Sequence, residues 1–189
     1  MRVVGGNLGG RKLECPVGND IRPTTDRIKE NLFNILSTRI VNSNFLDMFS
    51  GCGGIGIEAI SRGADEVVFV EVASESVLTL KKNLENLKIT EGYRVLHSNV
   101  FDALRRLAEE DVCFDIIFMD APYNKGLYQK VLEEISICEI LSEGGIVVVE
   151  RNFEDICETL PENIELLREK KYGSTILSFY QKYDCLQEE

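Results

Sequence analysis

From Asn44 onward the sequence repeats one pattern, in which a short β-branched run leads into a glycine turn and then an amphipathic stretch. Continuous apolar runs separated by helical segments are typical of parallel strands that helices cover on both faces. We therefore predict an α/β fold with a mostly parallel sheet. The predicted strands are Phe45–Phe49, Glu66–Val72, Tyr93–Ser98, Phe114–Met119 and Ile146–Val149, and the helices among them are Ile55–Arg62, Ser74–Leu87 and Leu127–Ile140.

The end of the chain departs from this alternation. Ile164–Lys171 and Thr175–Lys182 are predicted strands, joined by Tyr172-Gly173-Ser174. So short a link cannot hold a helical crossover, and the two strands should therefore pair as an antiparallel hairpin. A mostly parallel seven-stranded sheet that ends in such a hairpin is the Rossmann-like architecture expected of class I S-adenosylmethionine-dependent methyltransferases.

The N-terminal part is predicted to be a small arm followed by a helix, over residues 1–40, with residues 41–189 forming one compact methyltransferase unit. Glycine-rich sequence favours a small hairpin or an irregular arm at the start. Thr24 or Thr25 can then cap a helix that buries Ile28, Leu32 and neighbouring apolar residues on one stripe. In the Ser74–Leu87 helix, the candidates for burial include Leu78, Leu84 and Leu87.

Charge is distributed unevenly along the chain. The net charge is −11, which argues against phosphate binding as a whole-molecule property. Residues 1–40, however, carry seven basic and four acidic side chains. Such an arm could touch RNA locally, although an ordinary solvated surface would carry the same charges.

Several functional classes are disfavoured by composition. The six cysteines are scattered and His97 is the single histidine, so we predict free thiols in a reducing compartment and no metal site. No apolar run approaches the length of a membrane span, and the first residues lack the core of a signal peptide. These patterns predict a cytoplasmic protein without a membrane partner.

The glycine turn after the first strand is a candidate cofactor site. Gly51, Gly53 and Gly56 satisfy G-x-G-x-x-G, which nicotinamide and flavin enzymes also use. Glu71, at the end of the second strand, can accept hydrogen bonds from ribose hydroxyls in either case. Asp47 favours S-adenosylmethionine, because a carboxylate beside the turn attracts the cationic methionine part and would repel a pyrophosphate.

The third strand leads into a possible adenine contact. Methyltransferases often keep an acidic residue at this point; Asn99 stands there and its amide oxygen can accept the same hydrogen bond. Asp102 is the competing candidate, and His97 is interpreted as a structural side chain. The predicted cofactor-binding residues are Asp47, Ser50, Gly51, Gly53, Gly56, Glu71, Asn99 and Val100.

Asp120-Ala121-Pro122-Tyr123, directly after the fourth strand, is the candidate catalytic motif. It resembles the [D/N/S]-P-P-[Y/F/W] motif of amino-methylating enzymes, with alanine in place of the first proline. An exocyclic amine on a base is a poor nucleophile, since its lone pair is delocalised into the ring. The Asp120 carboxylate and the Ala121 carbonyl can each accept one N–H bond and aim that lone pair, while Tyr123 stacks on the base.

The chain as a whole resembles the RsmD family, the 16S rRNA (guanine-N2)-methyltransferases. The resemblance rests on Gly9–Leu13, Arg22–Leu36, Leu46–Gly51 with Gly56–Ala59, Asp120–Tyr123 with Lys125–Tyr128, and Tyr172–Thr175. It implies guanine N2 as acceptor, S-adenosylmethionine as donor and 16S rRNA in an assembling 30S subunit as partner. Separately, we expect a monomer. The residues predicted to contact RNA are Arg11, Arg22, Thr24, Arg27, Lys29 and Lys125.

Two alternatives to this function are open at the level of sequence. One is an adenine-N6 methyltransferase acting on DNA or RNA, although DNA enzymes of this kind usually carry a separate target-recognition region. The other is a ribosome-assembly factor that keeps the fold without catalysis. Ala121 and Asn99 are the two departures from the family pattern.

Overall fold

The computed structural model describes residues 1–15, 25–121, 126–155 and 159–182. Within those ranges the strands are β1 Asn44–Met48, β2 Glu66–Glu71, β3 Tyr93–His97, β4 Phe114–Met119, β5 Leu141–Asn152, β6 Ile164–Tyr172 and β7 Thr175–Lys182. The α-helices are α1 Asp26–Leu36, α2 Gly56–Ser61, α3 Ser74–Asn86, α4 Val100–Glu109 and α5 Leu127–Cys138, with short 3₁₀ turns at Gly6–Leu8 and Ser37–Ile40.

Two compact units divide the chain, Met1–Asn99 and Val100–Glu189. In the first unit, β2 pairs in parallel with both β1 and β3. In the second, β4 pairs in parallel with β5, while β7 pairs antiparallel with both β5 and β6. The seven strands, the parallel pairs and the antiparallel C-terminal hairpin confirm the predicted fold class.

Strand boundaries agree best where the apolar run is continuous. β4 and β7 have the predicted bounds, and the apolar side chains of β4 are buried. β5 is longer than predicted at both ends: it begins at Leu141, which pairs with Phe114, and it continues to pair with β7 through Glu150–Asn152. Helix α4 was not predicted, although Val100, Ala103, Leu104 and Leu107 are buried at helical spacing.

The N-terminal arm is a small hairpin held by an antiparallel bridge between Arg2 and Lys12. Of the two predicted forms, a hairpin or an irregular arm, the structure has the hairpin. Thr25 caps α1, since its hydroxyl oxygen accepts a hydrogen bond from the Ile28 N–H at 3.3 Å. The division of the chain at residue 40 stays a prediction. Among the parts of the chain described here, no helix combines the length and the apolar character that a bilayer crossing requires.

Of the three predicted core positions in the α3 segment, one is buried. Leu84 is buried as predicted, whereas Leu78 is 68% exposed and Leu87, which follows α3, is partly exposed. The buried stripe of α3 follows Val77, Leu80 and Leu84, and a residue one position after Val77 is turned about 100° away from it.

Candidate active site

The first unit carries the glycine turn between β1 and α2. Asp47, the penultimate residue of β1, is 2% exposed, and one of its oxygens accepts a hydrogen bond from the Gly56 N–H at 2.8 Å. Burial is the main cause that raises the pKa of Asp47 to about 7; the Gly56 hydrogen bond opposes this shift and the charge of Glu71 adds to it. A carboxyl group in this state changes its charge close to neutral pH.

The three glycines of the motif have different physical roles. An added Cβ would collide with Leu80 at Gly53 and with the Phe69 ring at Gly56, so both positions allow close packing. Gly51 has φ +53°, and a Cβ there would meet nothing within 4 Å. The backbone is therefore open to a ligand at Gly51 and packed against protein at Gly53 and Gly56.

Glu71 ends β2 and is held by backbone donors. Its Oε2 accepts a hydrogen bond from the Gly51 N–H at 2.8 Å, and its Oε1 accepts from the N–H groups of Val72 and Ala73 at 2.9 and 2.8 Å. Ser50, which is also buried, donates from its hydroxyl to the Val70 carbonyl at 3.3 Å. The turn after β1 is thus fastened to the end of β2.

The end of β3 meets the same edge of this sheet. His97 stands opposite Glu71 in the parallel register, and the Ser98 N–H donates to the Glu71 carbonyl at 3.1 Å. Asn99 is exposed at this edge, and Val100 is buried as the first residue of α4. Asn99 and Asp102 are both exposed, and the choice between them stays open.

A second cluster in the first unit was missed by the sequence analysis. Glu58 in α2 accepts hydrogen bonds from the N–H groups of Val4 and Gly5, each at 2.7 Å, and from Arg62 Nε at 2.8 Å. Lys29 lies 3.6 Å from Glu58 and donates to the Arg2 carbonyl at 2.5 Å. These contacts fix the arm against α1 and α2.

The predicted RNA-binding role of Lys29 is corrected by this cluster. Its side chain is 0% exposed, and burial lowers its pKa although Glu58 opposes the shift. A cation enclosed by Glu58 and backbone carbonyls cannot reach a phosphate at the surface. The signal that could have revealed it is the position of Lys29 beside Ile28, on the apolar stripe of α1.

The other predicted RNA contacts divide into two groups. Arg11 on the arm and Arg27 on α1 are exposed at the surface of the first unit. Arg22, Thr24 and Lys125 lie outside the described residues.

The predicted catalytic motif begins one residue after β4, in the second unit. Asp120 and Ala121 are partly exposed at the carboxyl end of this strand, where parallel α/β sheets commonly place their reactive groups. Pro122 and Tyr123 lie outside the described residues.

Comparison with known proteins decides the family. Residues 1–181 match the family described as "Conserved hypothetical protein 95". The chain belongs to this family. A relative from Escherichia coli K12, named ribosomal RNA small subunit methyltransferase D, is 36% identical over 182 residues, which cover 96% of this chain and 90% of the relative. The resemblance to the RsmD family is thereby confirmed.

Solved structures agree with this family assignment. An Escherichia coli structure described as a candidate methyltransferase has a TM-score of 0.86 at 33% identity, and the match covers 97% of this chain and 98% of that one. A candidate methyltransferase solved in complex with SAH has a TM-score of 0.69 at 16% identity, covering 85% of this chain and 50% of its own. The second likeness shows the fold alone.

Proposed function

We propose that this protein transfers a methyl group from S-adenosylmethionine to the exocyclic N2 amine of a guanine in 16S rRNA of the small ribosomal subunit. The observation that carries the proposal is the near full-length similarity to a relative named as a small-subunit rRNA methyltransferase. The cofactor is supported by the fold shared with a methyltransferase that was solved with SAH.

The glycine turn fits the cofactor on chemical grounds. Glu71 uses three of roughly four acceptor positions on backbone N–H groups, so one position remains for a ribose hydroxyl. Asp47 suits the methionine ammonium, because a cation would stabilise the charged form of this buried carboxyl. The other proposed cofactor contacts are Ser50, Gly51, Gly53, Gly56, Asn99 and Val100.

The acceptor amine is proposed to be oriented by the motif that follows β4. When bound, S-adenosylmethionine supplies an electrophilic methyl carbon on a sulfonium centre. The Asp120 carboxylate and the Ala121 carbonyl each accept one N–H hydrogen bond from the guanine amine. These two hydrogen bonds direct the nitrogen lone pair toward the methyl carbon. Pro122 stiffens the motif and Tyr123 stacks on the base. A strong general base is unnecessary, since the methylated nitrogen is acidic enough to lose its proton to water.

The RNA contacts are proposed for Arg11 and Arg27, whose exposed guanidinium groups suit phosphates, and for Arg22, Thr24 and Lys125. In this proposal the arm and helix of residues 1–40 contact the RNA, and residues 41–189 form the methyltransferase unit. The substrate is 16S rRNA in an assembling 30S particle, the enzyme acts in the cytoplasm as a monomer, and no metal takes part.

The test is transfer of a radiolabelled methyl group to 30S particles that lack the modification, together with calorimetry of S-adenosylmethionine binding. Asp120→Ala should abolish label transfer and leave cofactor affinity within a few-fold of the wild type. Asp115→Asn, within the strand β4 that precedes Asp120, is the matched control and should retain transfer.

The possible results separate the alternatives. Label in an N2-methylguanine after digestion supports the proposal, whereas label in N6-methyladenine identifies the adenine enzyme. Cofactor binding without any transfer would identify an assembly factor without catalysis. Equal loss of transfer and cofactor binding in Asp120→Ala would make Asp120 a structural residue.

A further inference from the structure

Two cysteines from distant parts of the chain meet at the glycine turn. Cys15 belongs to the arm and Cys52 follows Gly51 in the turn, and their sulfur atoms lie 2.9 Å apart. Neither forms a disulfide in this structure, and the same holds for Cys113 and Cys138 elsewhere in the described residues. A disulfide bond is about 2.05 Å long, so the two sulfurs need to approach by less than an ångström to form one.

A single side chain holds the two backbones in place. Asn83 of α3 is 1% exposed; its Oδ1 accepts from the Glu14 N–H at 2.8 Å, and its Nδ2 donates to the carbonyls of Glu14 and Cys52, both at 2.9 Å. Lys82 adds an ion pair to Glu14 at 2.7 Å. The arm is therefore fixed beside the turn immediately before Cys15, so the two cysteine backbones are held close together.

We propose that Cys15 and Cys52 form a redox-sensitive pair, which a peroxide oxidises to an intramolecular disulfide that fastens the arm to the glycine turn. The proposal concerns the thiols themselves and stands independently of the methyl-transfer function. It identifies a modification site in the first unit.

The environments of the two thiols assign their roles. Cys52 is 6% exposed, and burial raises its pKa, with the Cys15 contact acting in the same direction. Cys15 is partly exposed and is the thiol that meets the oxidant first. Its thiolate attacks the O–O bond of hydrogen peroxide and becomes a sulfenic acid, with release of the first water.

Cys52 then resolves the sulfenic acid. Its sulfur attacks the Cys15 sulfur, the S–S bond forms, and the leaving hydroxide takes the Cys52 proton to become the second water. Two thiols and one hydrogen peroxide thus give one disulfide and two waters. A reducing dithiol reverses the reaction.

The cross-link would restrain a segment that already packs on the turn. An added Cβ at Gly54 would collide with the Met1 side chain, so a second part of the arm contacts the same turn. Closing the chain between Cys15 and Cys52 restricts the unfolded state, and the oxidised protein should melt several degrees higher than the reduced one.

The experiment treats the full-length protein with hydrogen peroxide, blocks remaining thiols and maps disulfide peptides by mass spectrometry. We expect a Cys15–Cys52 peptide, an intact mass lower by two hydrogen atoms, and a rise in Tm that dithiothreitol reverses. Cys15→Ser and Cys52→Ser should each lose the peptide and the rise in Tm. Cys113→Ser and Cys138→Ser are matched controls that should keep both.

Two results would overturn the proposal. One is a wild-type protein in which Cys15 becomes sulfinic acid while Cys52 stays a thiol. The other is a disulfide that joins either cysteine to a different partner. Both are read from the wild-type peptide map, so a serine variant that fails to fold does not affect the decision.

Discussion

Two buried carboxylates of the first unit differ in how their charge is balanced. Glu58 is fully enclosed, and its oxygens receive two backbone N–H groups, Arg62 and the nearby Lys29 ammonium. Asp47 is equally hidden, yet the hydrogen bond that the structure gives it comes from the Gly56 N–H, and its pKa rises to about 7.

The difference separates a structural cluster from a candidate ligand site. Positive and donor groups already surround Glu58, so its burial is balanced within the chain. At Asp47 the desolvation of the charge is left largely uncompensated, which is a common property of groups that await a charged ligand. Four experiments test this contrast.

Removal of charge from Glu58 should have the largest effect on stability. Glu58→Gln leaves the buried Lys29 without its counter-ion, and breaking such a pair costs about 3–5 kcal/mol of unfolding free energy. Urea unfolding measures the loss. Glu110→Gln, which breaks the exposed pair with Arg106, is the control and should cost less than about 1 kcal/mol. Similar small losses in both variants would mean that Glu58 is not a structural centre.

Asp47→Asn should stabilise the ligand-free protein at alkaline pH. The folded pKa of Asp47 lies above its ordinary value of 3.8, so its contribution to stability is full below about pH 4 and is lost as pH rises through about 7. At about pH 8 the neutral amide should therefore raise the unfolding free energy by about 2–4 kcal/mol, and at about pH 5 by much less. Asp65→Asn on the surface is the control and should change the unfolding free energy by less than about 0.5 kcal/mol. If Asp47→Asn were less stable than the wild type at about pH 8, the raised pKa of Asp47 would be contradicted.

Cofactor affinity should follow the same titration if the proposed function is right. Between about pH 6 and 7.5 the ionised fraction of a group with this pKa rises roughly tenfold, and affinity for the cationic cofactor should rise with it. Calorimetry across this range measures the slope. The Asp47→Asn variant should bind more weakly and without the slope; a slope that persists in the variant would point to another group.

Gly51→Ala should have the smallest effect on stability. The left-handed φ of +53° disfavours alanine by roughly 1 kcal/mol, and no atom obstructs the added methyl group. Cofactor affinity should nevertheless fall, because that methyl group occupies the open side of the turn. Unchanged affinity would indicate that the ligand does not approach the chain at Gly51.

Local patterns were sufficient for much of the fold. β4 and β7 were predicted to the residue, since alternating or continuous apolar side chains define strands over a few neighbouring positions. Helix α4 could have been predicted by the same argument but was not, although its four buried positions recur at helical spacing. The glycines of the turn were also predicted. The sequence could not show, however, that Gly53 and Gly56 pack against Leu80 and Phe69 while Gly51 is open to a ligand.

The errors arise where partners are distant in sequence. Lys29 was assigned to RNA from the resemblance of its segment to the family. The partner that buries it, Glu58, follows 29 residues later in the sequence and also binds the arm through the Val4 N–H. The contact between Cys15 and Cys52 depends on Asn83, which neither cysteine pattern nor spacing indicates. The roles of the predicted site residues stay predictions for a different reason, since each role is defined by contact with a ligand.

The contacts of Glu58 also bear on how this unit folds during synthesis. Val4 and Gly5 find their carboxylate partner 54 and 53 residues further along the chain. The arm therefore leaves the ribosome well before α2 exists, and it must wait unpaired until that helix has formed. A translational pause shortly after α2 would let the arm dock before the second unit is made.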